Sequence, residues 1–146
     1  MKIQIVYFVI MLVKMLNENY KKKFLFIIFS KDFYKFHYSI TTAITLRALE
    51  KDVSVFVTGY ACNYIKKNWQ VYDIDRIYKK ISEKKMPSLE QLYKDCADLN
   101  LKFYYCETAI DFLNINELDI TNLIKILPVG MYSIMSKHKN DDILFI

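Results

Sequence analysis

Cys106 is the residue of this chain whose position most favours chemistry. A strand-like run from Leu101 to Tyr105 ends at it, and a helical pattern begins at Glu107. In α/β domains, ligands and reactive groups collect where the carboxyl end of a strand passes into a helix. The free backbone N–H groups and the dipole at a helix start favour the thiolate, the form that attacks other sulfur atoms. The pattern therefore favours a reactive cysteine over an inert core thiol.

Polar residues also follow the first two predicted strands. Because parallel strands end on the same side of a sheet, these residues are expected to share one crevice with Cys106. Cys62 is expected either to form a disulfide with Cys106 or simply to pack, whereas Cys96 lies on an apolar helix stripe and is predicted to be an inert core thiol. The expected walls of the crevice are Ser30, Lys31, Asp32, Gly59, Tyr60, Cys62, Glu107 and Thr108.

Other cysteine chemistries fit the sequence less well. A phosphatase-type loop needs an arginine six residues after the cysteine, and that position is Phe112. His37 and His138 fall within predicted helices, so both are expected to be structural rather than hydrolase or metal-binding residues. With only 2 glycines in the chain, no glycine-rich phosphate loop is present. We therefore expect neither a metal nor a cofactor.

The charge pattern limits the kinds of partner. The net charge of +5 comes from scattered lysines, and Arg47 and Arg76 are the only arginines. Because specific base and phosphate recognition favours arginine, nucleic acid is not expected as a partner, whereas an acidic protein surface is compatible. Three cysteines without a C-x-x-C motif and without a convincing export signal indicate a reducing cytoplasm.

Residues 1–22 form an apolar and basic extension ahead of the predicted domain. The apolar run from Ile3 to Val13 is shorter than the roughly 20 residues that a membrane-spanning helix needs. An extra helix, or a true start at Met11 or Met15, explains it better than a secretion signal or an anchor.

From Lys23 onward, strand-like and helix-like segments alternate as in a βαβ arrangement. The pattern predicts a single-domain, three-layer α/β sandwich over residues 23–146, Rossmann-like or flavodoxin-like, with a mostly parallel sheet of about five strands. The fourth strand is expected to stop at Pro128. The predicted strands are Phe24–Phe29, Val53–Val57, Leu101–Tyr105, Leu123–Leu127 and Ile143–Ile146.

A long excursion from Gly59 to Pro87 separates the second and third strands. Asp73 is predicted to cap a helix there, whose lysines form a solvated face or a docking element. Ser88 and Gln91 then have the spacing of a capping box at the start of the next helix.

The chain resembles the DsrE/DsrF-like family of small sulfur-carrier and sulfurtransferase-like proteins, in particular its branch with peroxiredoxin annotations. The resemblance extends over residues 23–146. It rests on the order and spacing of several segments, which are Phe29-Ser30-Lys31-Asp32, Val53–Thr58, Met86–Leu92, Lys102–Cys106, Ala109–Ile115 and Ile143–Ile146.

The resemblance implies that Cys106 holds a sulfane sulfur as a persulfide, and that the chain assembles into trimeric or hexameric rings. A sulfur relay between donor and acceptor proteins is therefore the leading hypothesis. Because the carboxylate of Glu107 opposes ionisation of a neighbouring thiol, an interaction module of the same fold that has lost sulfur transfer is the main alternative. A thiol peroxidase with a Cys106–Cys62 disulfide is the third.

Overall fold

The computed structural model describes residues 2–19 and 22–146, and the side chains of residues 4–16 and 22–146. Met1, Tyr20 and Lys21, which belong to the predicted extension, lie outside this range. In chain order the helices are α1 (Lys2–Asn19), α2 (Phe33–Ala48), α3 (Ile77–Glu83), α4 (Leu89–Asp98), α5 (Glu107–Phe112) and α6 (Met131–Lys137). The strands are β1 (Lys23–Ile28), β2 (Asp52–Val57), β3 (Lys102–Cys106), β4 (Leu127–Val129) and β5 (Asp142–Phe145).

The five strands form one sheet in the order β4-β3-β2-β1-β5, and every neighbouring pair is parallel. This confirms the predicted α/β class, with a sheet that is entirely rather than mostly parallel. The chain moves steadily from β1 to β4 and then returns to the far side of β1. Because such connections are right-handed, the return connection through α6 crosses the face opposite to the earlier helices.

The interior strands β1 and β2 are covered on both faces. Four consecutive residues of β1, Leu25 to Ile28, are buried, and so are five consecutive residues of β2, Val53 to Val57. Alternate residues of a strand point to opposite faces, so consecutive burial requires packing on both sides. Helix α2 contributes Phe36, Ile40 and Ala43 to this core.

Strand β4 departs from the prediction. The expected strand Leu123–Leu127 was to stop at Pro128, but the strand runs from Leu127 to Val129 and Pro128 pairs with Tyr105 of β3. Proline has no backbone N–H to donate and is tolerated in an edge strand, where only one side of the backbone is paired. Ile124, in the apolar run before Pro128, is only 6 % exposed and is part of the core instead of the strand.

The excursion between β2 and β3 contains less helix than predicted. Ile74 is 89 % exposed and precedes α3, which begins only at Ile77 after Arg76 in the left-handed region. Asp73 still acts at this helix start, because its Oδ2 accepts a hydrogen bond of 2.8 Å from the Tyr78 amide. Two 3-10 segments, Gly59–Ile65 and Trp69–Tyr72, fill the preceding part of the excursion.

None of the side chains of α1 that the structure describes, at residues 4–16, is buried in this core. The apolar side chains between Ile5 and Leu16 are 40–70 % exposed. Among the described residues, no helix combines the length and the apolar character that crossing a membrane requires.

Half of the predicted capping box forms at the start of α4. Ser88 Oγ accepts a hydrogen bond of 3.1 Å from the Gln91 amide, whereas the Gln91 side chain donates to Asp95 Oδ1 at 2.8 Å. The Ser88 hydroxyl thus satisfies one of the amides that a helix start leaves without a partner.

Replacing Ser88 by alanine should lower the free energy of unfolding by about 1 kcal/mol, because the Gln91 amide loses its acceptor. Urea unfolding followed by circular dichroism measures the change. Ser136→Ala, at an exposed position inside α6, is the control and should show no loss. Equal stability of the two variants would contradict the assigned capping role.

Candidate functional site

Cys106 lies where the sequence places it. It is the last residue of β3 and directly precedes α5, with an extended backbone (φ −79°, ψ 118°). Its neighbours Glu107 and Thr108 are the first two residues of the helix, and both are exposed. A thiol here faces the part of the helix whose backbone N–H groups have no partner within the helix.

The thiol itself is less accessible than expected. Cys106 is only 4 % exposed, so the expectation of a thiol open to solvent is not met in the single chain. Cys106 belongs to the same buried core as Ala109 and Ile110 of α5. Any partner of Cys106 must therefore reach it through a shift of the helix start or of the neighbouring loops.

Cys62 is the second thiol at this edge of the sheet. It belongs to the 3-10 segment Gly59–Ile65, is fully buried, and donates its S–H to Val57 O at 3.5 Å. Its pKa is raised from 9.0 to about 12, chiefly by burial and secondly by negative charge at Cys106, whereas the Cys106 backbone amide acts in the opposite direction. The fold thus brings Cys62 and Cys106 together, with Cys62 held as a neutral thiol.

Cys96 has the predicted core position. It is fully buried in α4, and burial raises its pKa to about 12, with a further contribution from Asp95. In the described part of the chain all three cysteines are free thiols.

The loop after β2 depends on a glycine. Gly59 has a φ of +52°, and a Cβ atom there would lie 2.5 Å from the ring of Phe29. A larger side chain is disfavoured there by both the backbone conformation and the close approach of the Phe29 ring. Gly59 therefore fixes the start of the segment that carries Tyr60 and Cys62.

The loop after β1 is ordered by its own polar groups. Ser30 Oγ accepts a hydrogen bond from the Asp32 amide at 3.1 Å, and Asp32 Oδ1 caps α2 by accepting from the Lys35 amide at 2.9 Å. The Lys31 carbonyl accepts a hydrogen bond from the Tyr64 hydroxyl. This last contact ties the loop to the 3-10 segment that follows β2.

A cavity of about 540 Å³ opens beside these two loops. Lys31, Asp32 and Tyr60 line it, but the described residues in its wall include neither Cys62 nor Cys106. The expected single crevice is therefore two neighbouring features, a buried thiol pair and an open cavity. Ser30, Gly59, Glu107 and Thr108 stand outside the wall of the cavity.

Sequence reasoning missed the residues that give this cavity its charge. Asp73 and Asp75 face it together with Asp32, and all three carboxylates contribute to raising the pKa of Tyr64 to about 12, after burial as the largest cause. The two acidic residues that follow Tyr72 in the segment Tyr72-Asp73-Ile74-Asp75 are the sequence feature that could have predicted this charge. The sequence pattern predicts Asp73 only as a helix cap.

The histidines lie in structural positions. His37 Nε2 is 2.8 Å from the Pro87 carbonyl, and His138 Nδ1 is 2.6 Å from Asp141 Oδ2. Within residues 2–19 and 22–146, no group of three or more His, Cys, Asp or Glu side chains is arranged to hold a metal ion.

The fold and the thiol pair together describe a small α/β protein with a cysteine at a strand-to-helix junction. The chain belongs to the DsrE/DsrF-like family, whose model matches residues 22–145. This confirms the resemblance inferred from the sequence. No curated protein is similar enough to the chain to count as a match.

Solved structures of the same fold are similar over most of the chain. The ychN protein from E. coli matches with a TM-score of 0.62 and 13 % identity, covering 86 % of this chain and 99 % of that one. MTH1491 from Methanobacterium thermoautotrophicum matches with a TM-score of 0.59 and 12 % identity, covering 86 % of this chain and 99 % of that one. BT1422 from Bacteroides thetaiotaomicron matches with a TM-score of 0.58 and 12 % identity, covering 86 % of this chain and 95 % of that one. At such low identity the similarity establishes the fold.

The raised pKa of Cys62 predicts how stability depends on pH. In the folded state the Cys62 thiol keeps its proton up to about pH 12, whereas in the unfolded chain it releases the proton near pH 9.0. The contribution of Cys62 to the free energy of unfolding is therefore fully present below pH 9. The effect decreases as the pH rises from 9 to 12, by at most about 1.4 kcal/mol per pH unit. Cys62→Ala should therefore make the loss of stability above pH 9 less steep, as measured by urea unfolding between pH 8 and 10.5.

Cys96→Ala serves as a second variant, because Cys96 has the same raised pKa for the same reason. It should also reduce the slope. If the free energy of unfolding of both variants falls with pH above 9 as steeply as that of the unaltered chain, neither thiol is held protonated by the fold.

Proposed function

We propose that this chain is a sulfur carrier that holds a sulfane sulfur as a persulfide on Cys106. The single observation that supports this most is the position of Cys106, at the junction of β3 and α5 in a DsrE/DsrF-like chain. The amides of Glu107 and Thr108, at the helix start, are available to stabilise an anionic sulfur at this position.

The transfer conserves both atoms and electrons. The Cys106 thiolate attacks the outer sulfur of a donor persulfide, a new S–S bond forms, and the donor leaves as a thiolate. The proton of the donor persulfide stays with the transferred sulfur. An acceptor thiolate then attacks the same outer sulfur and regenerates the Cys106 thiolate, so no external oxidant or reductant is needed.

The properties of Cys62 support a division of roles between the two thiols. With a pKa of about 12, Cys62 remains protonated at neutral pH and is a poor nucleophile. It does not compete with Cys106 for the donor, and its buried S–H bond to Val57 O anchors the neighbouring segment. We therefore assign the transfer to Cys106 alone.

Access to Cys106 requires movement of the residues that cover it. Since the thiol is 4 % exposed, the neighbouring backbone must shift before a small sulfur donor or a docking partner protein can reach it. The net charge of +5 suits acidic partners of this kind. The proposal includes a ring of three or six copies and a reducing, cytoplasmic location, where unpaired thiols persist.

Incubation with a sulfane sulfur donor should increase the mass of the intact protein by one sulfur atom. The added sulfur should be lost on treatment with a reductant, because a persulfide is readily reduced. Intact-mass spectrometry without reductant measures both changes.

Two variants locate the sulfur. Cys106→Ala should abolish the gain in mass, whereas Cys62→Ala should retain it. A gain that persists in Cys106→Ala would reject Cys106 as the carrier, and no gain in the unaltered chain would reject the proposed function.

A non-catalytic interaction module is the second candidate function. The burial of Cys106 favours it, and so does the carboxylate of Glu107, which places negative charge beside the thiol. In this alternative the family fold serves assembly, and Cys106 only contributes to packing.

The rate of alkylation distinguishes the two candidates. If Cys106 carries sulfur, iodoacetamide should modify it faster at neutral pH than it modifies Cys62 or Cys96 in the folded protein, because the latter two are held as neutral thiols. Peptide mass spectrometry after timed quenching gives the three rates. Equal, slow modification of all three cysteines would instead support the interaction module.

A further inference from the structure

The open cavity of about 540 Å³ beside the loops after β1 and β2 is not used by the sulfur chemistry proposed above. Its volume falls within the range of small-molecule sites, about 300–1,000 Å³. Its charged lining residues are Lys31, Asp32, Asp73 and Asp75. Three carboxylates against one ammonium leave an excess of two negative charges in the wall, although the chain as a whole has a net charge of +5.

Asp73 is a buried carboxylate in this wall with one oxygen that no described residue satisfies. The residue is 4 % exposed, and its Oδ2 accepts the hydrogen bond of 2.8 Å from the Tyr78 amide. Its Oδ1 accepts no hydrogen bond from the described residues. In that part of the chain only His37 Nδ1 and His138 Nε2 are both without a partner and closed to solvent, so Asp73 Oδ1 is open towards the cavity. A buried carboxylate oxygen without a donor is costly, and a donor that enters the cavity satisfies it.

The protein supplies no ion pair to these carboxylates. Within residues 2–19 and 22–146, none of the three forms a salt bridge, and Lys31 lines the cavity without pairing with any of them. Lys66 is held by Tyr72 instead, because its Nζ donates to the Tyr72 hydroxyl at 2.6 Å and lies 4.8 Å from the centre of that ring. The excess negative charge of the cavity therefore attracts a cation from outside the chain.

The placement of the carboxylates favours an organic cation over a metal ion. Among the described residues, no group of three or more His, Cys, Asp or Glu side chains is arranged to hold one metal ion. Ca²⁺ and Mg²⁺ take about six or more oxygen ligands around a single point, whereas a flexible chain with two ammonium groups reaches carboxylates that stand apart. After burial, the carboxylates of Asp73, Asp32 and Asp75 each raise the pKa of Tyr64, so all three act on the region around its hydroxyl.

We infer that the open cavity binds a small aliphatic diammonium ion, such as a protonated diamine. One ammonium group donates to Asp73 Oδ1, and the other donates to Asp32 or Asp75, which are exposed parts of the wall. Tyr34 and Tyr60 also line the cavity and are 48 % and 51 % exposed, so their rings are accessible to attract the cation. A neutral molecule of the same shape would leave the carboxylate of Asp73 without a counter-charge.

The experiment compares three probes with the same four-carbon chain by isothermal titration calorimetry at low salt, with MgCl₂ as the metal-ion control. 1,4-Diaminobutane carries two ammonium groups at neutral pH, n-butylamine has the single ammonium of a lysine side chain, and 1,4-butanediol has none. We expect 1,4-diaminobutane to bind saturably, with a dissociation constant about tenfold or more below that of n-butylamine. No saturable binding of 1,4-butanediol is expected.

A pair of charge-neutralising variants locates the site. Asp73→Asn removes the charge but keeps an oxygen that accepts from the Tyr78 amide, and it should weaken binding of 1,4-diaminobutane about tenfold or more. Asp98→Asn makes the same change in net charge at the exposed end of α4, outside the wall of the cavity, and should leave the affinity unchanged. Circular dichroism shows whether each variant is folded.

Several results would overturn the inference. With the unaltered chain, they are the absence of saturable binding at millimolar 1,4-diaminobutane, and binding of n-butylamine, 1,4-butanediol or Mg²⁺ as tight as that of the diamine. With the variants, it is a folded Asp73→Asn protein whose affinity is unchanged or falls no more than that of Asp98→Asn. If Asp73→Asn does not fold, the probes on the unaltered chain still decide. Because no cysteine is among the described residues that line the cavity, the outcome is independent of persulfide formation on Cys106.

Discussion

The parallel direction of all five strands is the constraint on which the rest of the structure depends. Because each strand ends on the same side, the loops after β1, β2 and β3 meet at one edge of the sheet. This brings Asp32, Gly59 and Cys106 into one region although they are far apart in sequence. The backbone bond from the Thr58 amide to Ile28 O, 2.9 Å long, continues the pairing beyond the strands and holds two of these loops together.

Burial divides that edge into parts with different chemistry. The core continues up to the thiol pair, so Cys62 is kept neutral and Cys106 is only 4 % exposed. A short distance along the edge, the excursion leaves an open cavity with three carboxylates around the Tyr64 hydroxyl. A chain with a net charge of +5 thus has an acidic, tyrosine-rich opening beside a buried sulfur site.

Local sequence patterns predicted the helix and strand ends that depend on neighbouring residues. The β3 to α5 junction at Cys106 follows from a strand-forming run that meets a helical pattern, and the cap at Ser88 follows from the spacing of Ser88 and Gln91. The prediction for β4 was wrong because pairing with β3, and not the apolar run before Pro128, decides where that short edge strand lies. The helix predicted from Asp73 begins only at Ile77, because Ile74 and Asp75 form a turn and Arg76 has a left-handed backbone conformation.

The sequence by itself determined the α/β class, the family, the core thiol Cys96 and the position of Cys106 at a helix start. These features depend on residue types, on local spacings and on the order of segments along the chain. Only the tertiary structure decided that Cys106 is covered, that Cys62 faces it, and that Asp32, Tyr64 and Asp73 line one cavity. Exposure and proximity depend on which distant segments pack against a residue, and no local pattern in one sequence contains that information.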